Sequence, residues 1–212
     1  MIHAVIFDMD GTLYDTEVVY GMAWKAAGLT HEQYLQMIGR GRSVNDALLS
    51  EWGMDPVCIR TKRDAFIADW LGQHGLPVKP GAEEALQWLK EKGIPAAVAT
   101  SSPLSVAEKY IRASGFTPYF DRVLSGYTLE HGKPAPDIFL MAAEELGSAP
   151  SECMVVEDSY NGVRAGRNAG MVTVMIPDQI PPNDEMEKTA DVILASLSEL
   201  PAYIEERNDM QL

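Results

Sequence analysis

Two aspartates near the start of the chain stand where a buried strand would end. Asp8 and Asp10 follow the apolar run Ala4–Phe7, and Gly11 and Thr12 come directly after them. Residues two apart in an extended chain project to the same side, so both carboxylates can face one site. Like charges held together repel unless a cation joins them, and oxygen ligands favour a hard ion such as Mg²⁺. The pair therefore predicts half of a metal and phosphoryl-transfer site.

Polar residues recur at three other places that a parallel sheet would bring to the same edge. These are Thr100-Ser101-Ser102 after residues 95–99, Glu157-Asp158 after residues 154–156, and Lys133 in the sequence GKPAPD. Because open α/β sheets gather the carboxyl ends of their strands at one edge, we expect these groups to lie beside the two aspartates.

Each group has a simpler interpretation when it is taken alone. Residues 10–12 suit a turn, residues 100–102 suit a helix cap, and Lys133 suits a solvated loop. Glu157 and Asp158 suit the start of a helix, where acidic residues complement the helix dipole. All four simple interpretations would have to hold together at four strand ends, so we predict one shared site instead.

The elements that position these residues alternate along most of the chain. Short apolar runs predict strands at 4–7, 95–99, 123–124, 154–156, 172–176 and 192–194, each typical of a parallel strand buried on both faces. Helical patterns fill the gaps at about 81–93, 102–115 and 136–147. The alternation predicts an α/β fold with a doubly wound, Rossmann-like parallel sheet.

One stretch breaks the alternation. Residues 16–79, called the insert below, show helical patterns and no convincing buried strand. We therefore predict a catalytic core of residues 1–15 and 80–212, with the insert as a helical cap domain over the carboxyl edge of the sheet. Substrate specificity is expected in this cap. Its candidates for meeting an anionic substrate are Arg40, Arg42, Lys62 and Arg63, although solvated surface charge is an equally good interpretation of each.

Composition limits the classes of partner that the protein is expected to bind. The formal net charge is −14, which argues against nucleic acid and against an anionic membrane surface. The two cysteines, Cys58 and Cys153, lie far apart without ligand-like spacing, which indicates a reduced, cytoplasmic protein. No apolar run approaches the roughly 18 residues of a membrane span, and no signal peptide is visible. We expect a monomer or weak homodimer that acts on a small phosphorylated metabolite.

Four segments together resemble a known superfamily. DMDGT at 8–12, the hydroxyl-ended strand at 98–102, KPAPD at 133–137 and VVEDS at 155–159 are similar, in order and spacing, to the four motifs of haloacid dehalogenase-like enzymes. The branch that contains β-phosphoglucomutase and small sugar-phosphate phosphatases is the most similar.

The resemblance implies a role for each motif residue. Asp8 would be the nucleophile that becomes an aspartyl-phosphate, and Asp10 the general acid and base. Mg²⁺ would be held by Asp8, the backbone carbonyl of Asp10 and Asp158, with Glu157 in or near its coordination shell. Thr100, Ser101 and Lys133 would hold the phosphoryl oxygens.

The predicted function is a Mg²⁺-dependent phosphatase for a small phosphorylated metabolite, most plausibly a hexose phosphate. A phosphomutase would share every core residue. A haloacid dehalogenase would need neither the metal nor Asp10, and a non-enzymatic binding module would have little reason to carry all four motifs.

Three residues of the insert bear on the choice between phosphatase and mutase. In the resembling mutases, a cap histidine and lysine restrain the acid/base aspartate until sugar is bound, and a cap arginine grips the distal phosphate. The histidine position, counted from the Asp8 motif, falls on Tyr20. The arginine position, counted from Gly39, falls on Arg42, and the lysine position, counted from Pro80-Gly81, falls on Lys62. A phenol does not change charge near neutral pH as an imidazole does, so we expect water to be the phosphoryl acceptor.

Overall fold

Six parallel strands form one sheet in the computed structural model, which describes residues 1–38 and 40–210. They are β1 (Ala4–Phe7), β2 (Ala96–Thr100), β3 (Arg122–Ser125), β4 (Cys153–Glu157), β5 (Val172–Met175) and β6 (Val192–Ile193), in the order β3-β2-β1-β4-β5-β6. The chain starts in the centre of the sheet and builds outward on both sides. This order confirms the predicted doubly wound α/β fold.

Ten α-helices accompany the strands in the described part of the chain. Between β1 and β2 come α1 (Thr16–Ala27), α2 (His31–Leu35), α3 (Arg42–Glu51), α4 (Pro56–His74) and α5 (Ala82–Lys92). The others are α6 (Leu104–Ala113), α7 (Asp137–Glu145), α8 (Tyr160–Asn168), α9 (Met186–Thr189) and α10 (Leu200–Asp209). No helix in residues 1–38 and 40–210 is both long enough and apolar enough to cross a membrane.

Alternate residues of β1 bury into two hydrophobic layers. Val5 and Phe7 pack with α5, α6 and α10 on one face of the sheet, whereas Ala4 and Ile6 pack with α7 and α8 on the other. Continuous apolar runs therefore suit β1, β2, β4 and β5, whose residues are all buried. The expectation of burial on both faces is wrong for β3 and β6, because these edge strands are partly exposed.

The insert has hydrophobic clusters of its own. One cluster is centred on Trp24, Tyr34 and Leu49, and a second joins Val19 and Ala23 of α1 to Ile67 of α4. Each cluster is made of insert residues alone. The two connections to the core lie side by side, because the Asp15 N–H donates to the Pro77 carbonyl and the Lys79 N–H to the Leu13 carbonyl, both at 2.9 Å.

Candidate active site

The register of the three central strands brings distant residues to one level. Phe7 lies opposite Val98 on β2 and Val156 on β4, so the next residues, Asp8, Ala99 and Glu157, form a row across the sheet.

Lys133 donates hydrogen bonds to all three residues of this row. Its Nζ donates to Asp8 Oδ1 at 2.5 Å, to Glu157 Oε1 at 2.7 Å and to the Ala99 carbonyl at 3.2 Å. The lysine comes from the loop before α7, and its side chain is only 6% exposed. Three of the residues singled out in the sequence therefore meet as buried, charged groups.

Asp158 completes the acidic cluster from the end of β4. Its side chain is buried, and its Oδ1 accepts a hydrogen bond from the Thr12 hydroxyl at 3.0 Å. Gly11 has a φ of +86°, and a Cβ at this position would lie 2.5 Å from Asp158 Oδ2. Glycine is therefore required here both by the turn after β1 and by the approach of the carboxylate.

Glu157 is fixed by the start of α8. Its Oε2 accepts hydrogen bonds from the Asp158 N–H at 3.0 Å, the Ser159 N–H at 2.8 Å and the Ser159 hydroxyl at 2.9 Å. A Cβ on Gly162 would lie 1.8 Å from the Glu157 carboxyl carbon, so this glycine leaves the space that the carboxylate fills. The sequence analysis singled out neither Ser159 nor Gly162.

The cluster carries more negative than positive charge. Carboxylate oxygens of Asp8, Glu157 and Asp158 all lie within 4.8 Å of one another, and they face the single ammonium of Lys133. Burial raises the pKa of Asp8 to about 8, an effect that Lys133 opposes and Glu157 reinforces. Burial, together with the charges of Glu157 and Asp8, also raises the pKa of Asp158 well above its usual range. The donor set is entirely oxygen and needs further positive charge, so these residues fit a divalent hard cation such as Mg²⁺.

Asp10 has different surroundings. Its Oδ1 accepts hydrogen bonds from the Thr16 and Tyr20 hydroxyls, each at 2.8 Å, and its Oδ2 accepts one from the Ser102 hydroxyl at 2.7 Å. The interpretation of Ser102 as a helix cap is wrong: Pro103 is the N-cap of α6, which has no side-chain cap hydrogen bond. The hydroxyl is engaged by a carboxylate 92 residues away in the chain.

The other two residues at the end of β2 differ in exposure. Thr100 is buried, and its hydroxyl oxygen accepts the Ser102 N–H at 3.0 Å, which holds the loop after β2 in place. Ser101 is exposed at the same edge.

Arg42 and Lys62, the two charged residues of the insert located by counting, differ in their contacts with the core. Arg42 is exposed, hydrogen-bonds to the Tyr127 hydroxyl of the loop after β3, and forms an ion pair with Asp46 at 3.5 Å. Lys62 is exposed on α4, and within residues 1–38 and 40–210 its side chain makes no hydrogen bond or ion pair. Gly39, from which the position of Arg42 was counted, lies outside the described residues.

Arg63, the neighbour of Lys62 on α4, contacts two aromatic rings of α1. Its guanidinium carbon is 5.6 Å from the centroid of the Tyr20 ring and 4.9 Å from that of Trp24. Because Tyr20 binds Asp10, Arg63 supports a residue in direct contact with the site.

A cavity of about 190 Å³ opens beside Asp158, between the insert and the core. Its lining includes Glu17 and Arg40 from the insert, and Arg164 from α8. Burial raises the pKa of Glu17 to about 7, although a hydrogen bond from the Tyr34 hydroxyl opposes the shift. The sequence analysis missed Glu17, because a single acidic residue on a helix gives no signal that another element will cover it.

Fold and site together define a class: doubly wound α/β enzymes with a buried aspartate at the end of the central strand and a helical insert above it. Residues 2–170 match the family model of the haloacid dehalogenase-like hydrolases, and the chain belongs to that family. The predicted membership is therefore confirmed, as is the prediction of an enzyme of the phosphoric monoester hydrolase type, which relatives named as phosphatases support.

Three similar proteins illustrate the family. Hexitol phosphatase B of Escherichia coli K12 is 33% identical over 94% of each chain. The fructose-1-phosphate phosphatase YqaB of the same organism is 32% identical over 80% of this chain and 94% of its own. The crystal structure of β-phosphoglucomutase from Clostridium difficile superposes with a TM-score of 0.81 at 25% identity, covering 100% of this chain and 99% of that one.

Proposed function

We propose that the protein is a Mg²⁺-dependent phosphatase that hydrolyses a small phosphorylated metabolite, of the sugar-phosphate class, through an aspartyl-phosphate. The observation that carries the proposal is the pair of aspartates after β1. The Asp8 carboxylate accepts a hydrogen bond from Lys133 inside the acidic cluster, whereas the Asp10 carboxylate accepts hydrogen bonds from three hydroxyl groups. This difference supports Asp8 as the attacking group and Asp10 as the group that exchanges a proton.

In the first step, an oxygen of the Asp8 carboxylate attacks phosphorus and the bond from phosphorus to the ester oxygen breaks. The protonated Asp10 carboxyl gives its proton to that leaving oxygen, which departs as an alcohol. Lys133, Thr100 and the Ser101 backbone hold the phosphoryl oxygens while negative charge develops on them.

In the second step, a water oxygen attacks the phosphorus of the aspartyl-phosphate and passes a proton to the Asp10 carboxylate. The bond between phosphorus and the Asp8 oxygen breaks, which releases phosphate and restores both aspartates. Asp8, the backbone carbonyl of Asp10 and Asp158 would hold Mg²⁺, with Glu157 in or beside its shell. When bound, the ion supplies positive charge to the phosphoryl oxygens.

The insert would act as a movable cap that admits substrate and then excludes water. Its two connections, Leu13–Thr16 and Pro77–Gly81, are proposed as the hinges. Their pairing through two backbone hydrogen bonds supports a concerted movement. The clusters formed by insert residues alone support the division into a core of 1–15 with 80–212 and a cap of 16–79.

The relatives' names support the substrate class. Hexitol phosphatase B and fructose-1-phosphate phosphatase are named for phosphorylated six-carbon polyols and sugars. We propose the same class here, in a monomer or weak homodimer of the cytoplasm that binds neither nucleic acid nor membranes. The charge of −14 and two free cysteines support this setting.

A phosphomutase of the β-phosphoglucomutase type is the second candidate. Arg42 and the similarity to the C. difficile structure favour it. Tyr20 favours hydrolysis instead, since its phenol contacts Asp10 at the position where the mutases have a histidine. A dehalogenase would have no use for Asp10, and a non-enzymatic module would have none for the buried cluster.

A phosphate-release screen tests the proposal. Purified protein is assayed with hexitol phosphates, hexose 1- and 6-phosphates and glycolytic phosphates, in Mg²⁺ and again after EDTA treatment. We expect release that EDTA stops and Mg²⁺ restores. Activity that survives the chelator would contradict the metal. Faster formation of glucose 6-phosphate than of free phosphate from β-glucose 1-phosphate, with a trace of bisphosphate, would replace the phosphatase by the mutase.

A further inference from the structure

The two aspartates differ in the chemical type of their hydrogen-bond donors. Asp8 accepts from the ammonium of Lys133, whereas Asp10 accepts from three hydroxyls, those of Thr16, Tyr20 and Ser102. An ammonium can only donate a hydrogen bond, so it suits a carboxylate in its ionised form. A hydroxyl can rotate to donate to a carboxylate or to accept from a carboxylic acid.

The Tyr20 side chain is held by groups other than Asp10. Its ring packs beneath the guanidinium of Arg63 and against both hydrophobic clusters of the insert. Tyr20 lies on α1, so the insert supplies this contact. The position of the phenol is therefore fixed by the insert, independently of its hydrogen bond to Asp10.

Ser102 is held just as independently from the core side. Its N–H donates to the Thr100 hydroxyl oxygen at 3.0 Å, and its carbonyl accepts the Ser125 hydroxyl at 2.6 Å. Asp10 thus lies between one fixed hydroxyl on the insert and another on the core, each bonded to a different carboxylate oxygen.

From this arrangement we infer that Tyr20 and Ser102 are positioning residues that hold Asp10 in line for proton transfer. The inference rests on the proposed phosphatase function. The two hydroxyls keep the carboxyl group in one place in both of its forms: as the acid that protonates the leaving oxygen, and as the base that takes a proton from water. Because one hydroxyl belongs to α1, Asp10 takes this position only when the insert is seated on the core.

The test uses leaving groups that differ in their need for a proton. The sugar oxygen of a sugar phosphate is a poor leaving group and depends on a proton from the general acid. The leaving group of p-nitrophenyl phosphate is a stable phenolate, which needs little help. The quantity to compare is kcat/KM, which reports formation of the aspartyl-phosphate. For Tyr20→Phe and for Ser102→Ala we expect kcat/KM to fall about 10-fold on the sugar phosphate and less than about 2-fold on the aryl phosphate.

Tyr203→Phe is the matched control. Tyr203, on α10, is also a partly buried tyrosine, but its hydroxyl accepts a hydrogen bond from Arg207 at 3.2 Å, and removing it should leave the ratio of the two kcat/KM values unchanged. Thermal unfolding of all three variants establishes that they fold. If Tyr20→Phe is unstable, Ser102→Ala, which alters a partly exposed loop residue, decides the question.

Two results would overturn the inference while leaving the phosphatase in place. One is an equal loss on both substrates. The other is a rise in KM alone, which would make Tyr20 a substrate-binding residue. Absence of turnover by the parent protein on every phosphate would instead remove the proposed function, and this inference with it.

Discussion

The edge of the sheet and the face of the insert hold their candidate residues in opposite ways. At the sheet edge, Asp8, Glu157 and Asp158 are buried, and each has hydrogen-bond partners that fix its position. On the insert, Arg42 and Lys62 are exposed, and within the described residues Arg42 reaches the core through Tyr127. A buried, hydrogen-bonded side chain suits a chemical step, whereas an exposed side chain suits substrate binding. Substitutions of the buried edge residues should therefore change kcat, and those of Arg42 and Lys62 should change KM.

The largest effect is expected from Asp8→Asn. The amide is nearly isosteric but cannot attack phosphorus, so turnover should fall by at least about 10⁴-fold. The measurement is phosphate release by protein with an unchanged circular dichroism spectrum. Asp184→Asn, at an exposed carboxylate of the core, is the control and should keep its activity. Substantial activity in Asp8→Asn would mean that the buried edge is not where the chemistry occurs.

Lys133→Met should give the next largest loss. It leaves the carboxylates of Asp8 and Glu157 without their ammonium partner, which typically costs about 3 kcal/mol of unfolding free energy when the charges are buried. Activity should fall by about 10²-fold or more, because a donor to the phosphoryl oxygens is lost. Urea unfolding and kinetics measure the two effects.

The control for this variant is Lys92→Met, which removes an exposed ion pair with Glu205. Such a pair contributes roughly 0–1 kcal/mol, and activity should be unaffected. Equal destabilisation in the two variants would show that the surroundings of Lys133 are less crowded than the contacts indicate.

A smaller effect is expected on the insert. Arg42→Ala should raise KM about 10-fold, equivalent to about 1.4 kcal/mol of binding, with kcat within about 2-fold. Lys62→Ala should change KM less, since the Lys62 side chain makes no hydrogen bond or ion pair within the described residues. Steady-state kinetics on the preferred sugar phosphate separates the parameters. A fall in kcat with constant KM would break the comparison, because Arg42 would then contribute to the chemical step.

The last prediction concerns stability and Glu17, a partly buried carboxyl group of the insert. Its pKa is raised from 4.5 to about 7, so the folded state favours the protonated form, and stability is lost as the pH rises through this interval. Glu17→Gln removes that dependence. Relative to the parent, the variant's unfolding free energy should therefore be larger at pH 8 than at pH 5, by up to about 2.5 kcal/mol. Urea titrations at the two pH values measure it, and parallel pH profiles would disprove it.

The sequence predicted the edge of the sheet better than the contacts made there. Apolar runs located β1, β2 and β4 within one or two residues, because strands buried on both faces need continuous hydrophobic sequence. The meeting of Asp8, Lys133, Glu157 and Asp158 followed from the topology of the sheet. The division between core and insert, and the role of each site residue, stay predictions.

Contacts between distant segments were harder to predict. Ser102 was interpreted as a helix cap because the local sequence does not reveal that its hydroxyl donates to Asp10, a distant residue. Gly162 carries no signal that the Glu157 carboxylate fills the space beside it. Counting from a motif located Tyr20, which does contact Asp10, but located Lys62 rather than its neighbour Arg63. Such details depend on tertiary packing rather than on periodicity.

The central position of β1 has a consequence for folding during synthesis on the ribosome. Val5 pairs with Ala96, and Ala4 pairs with Cys153. The first strand to be synthesised therefore cannot pair until about 90 further residues have been made on one side and about 150 on the other. At about 5–20 residues per second, the first wait lasts roughly 5 to 20 seconds. The helices of the insert, whose hydrophobic clusters are complete by residue 71, emerge within that interval. The nascent chain thus carries Asp8, Asp10 and the whole insert before it contains Lys133, Glu157 and Asp158. Until β2 has been made, the apolar strand β1 has no partner strand.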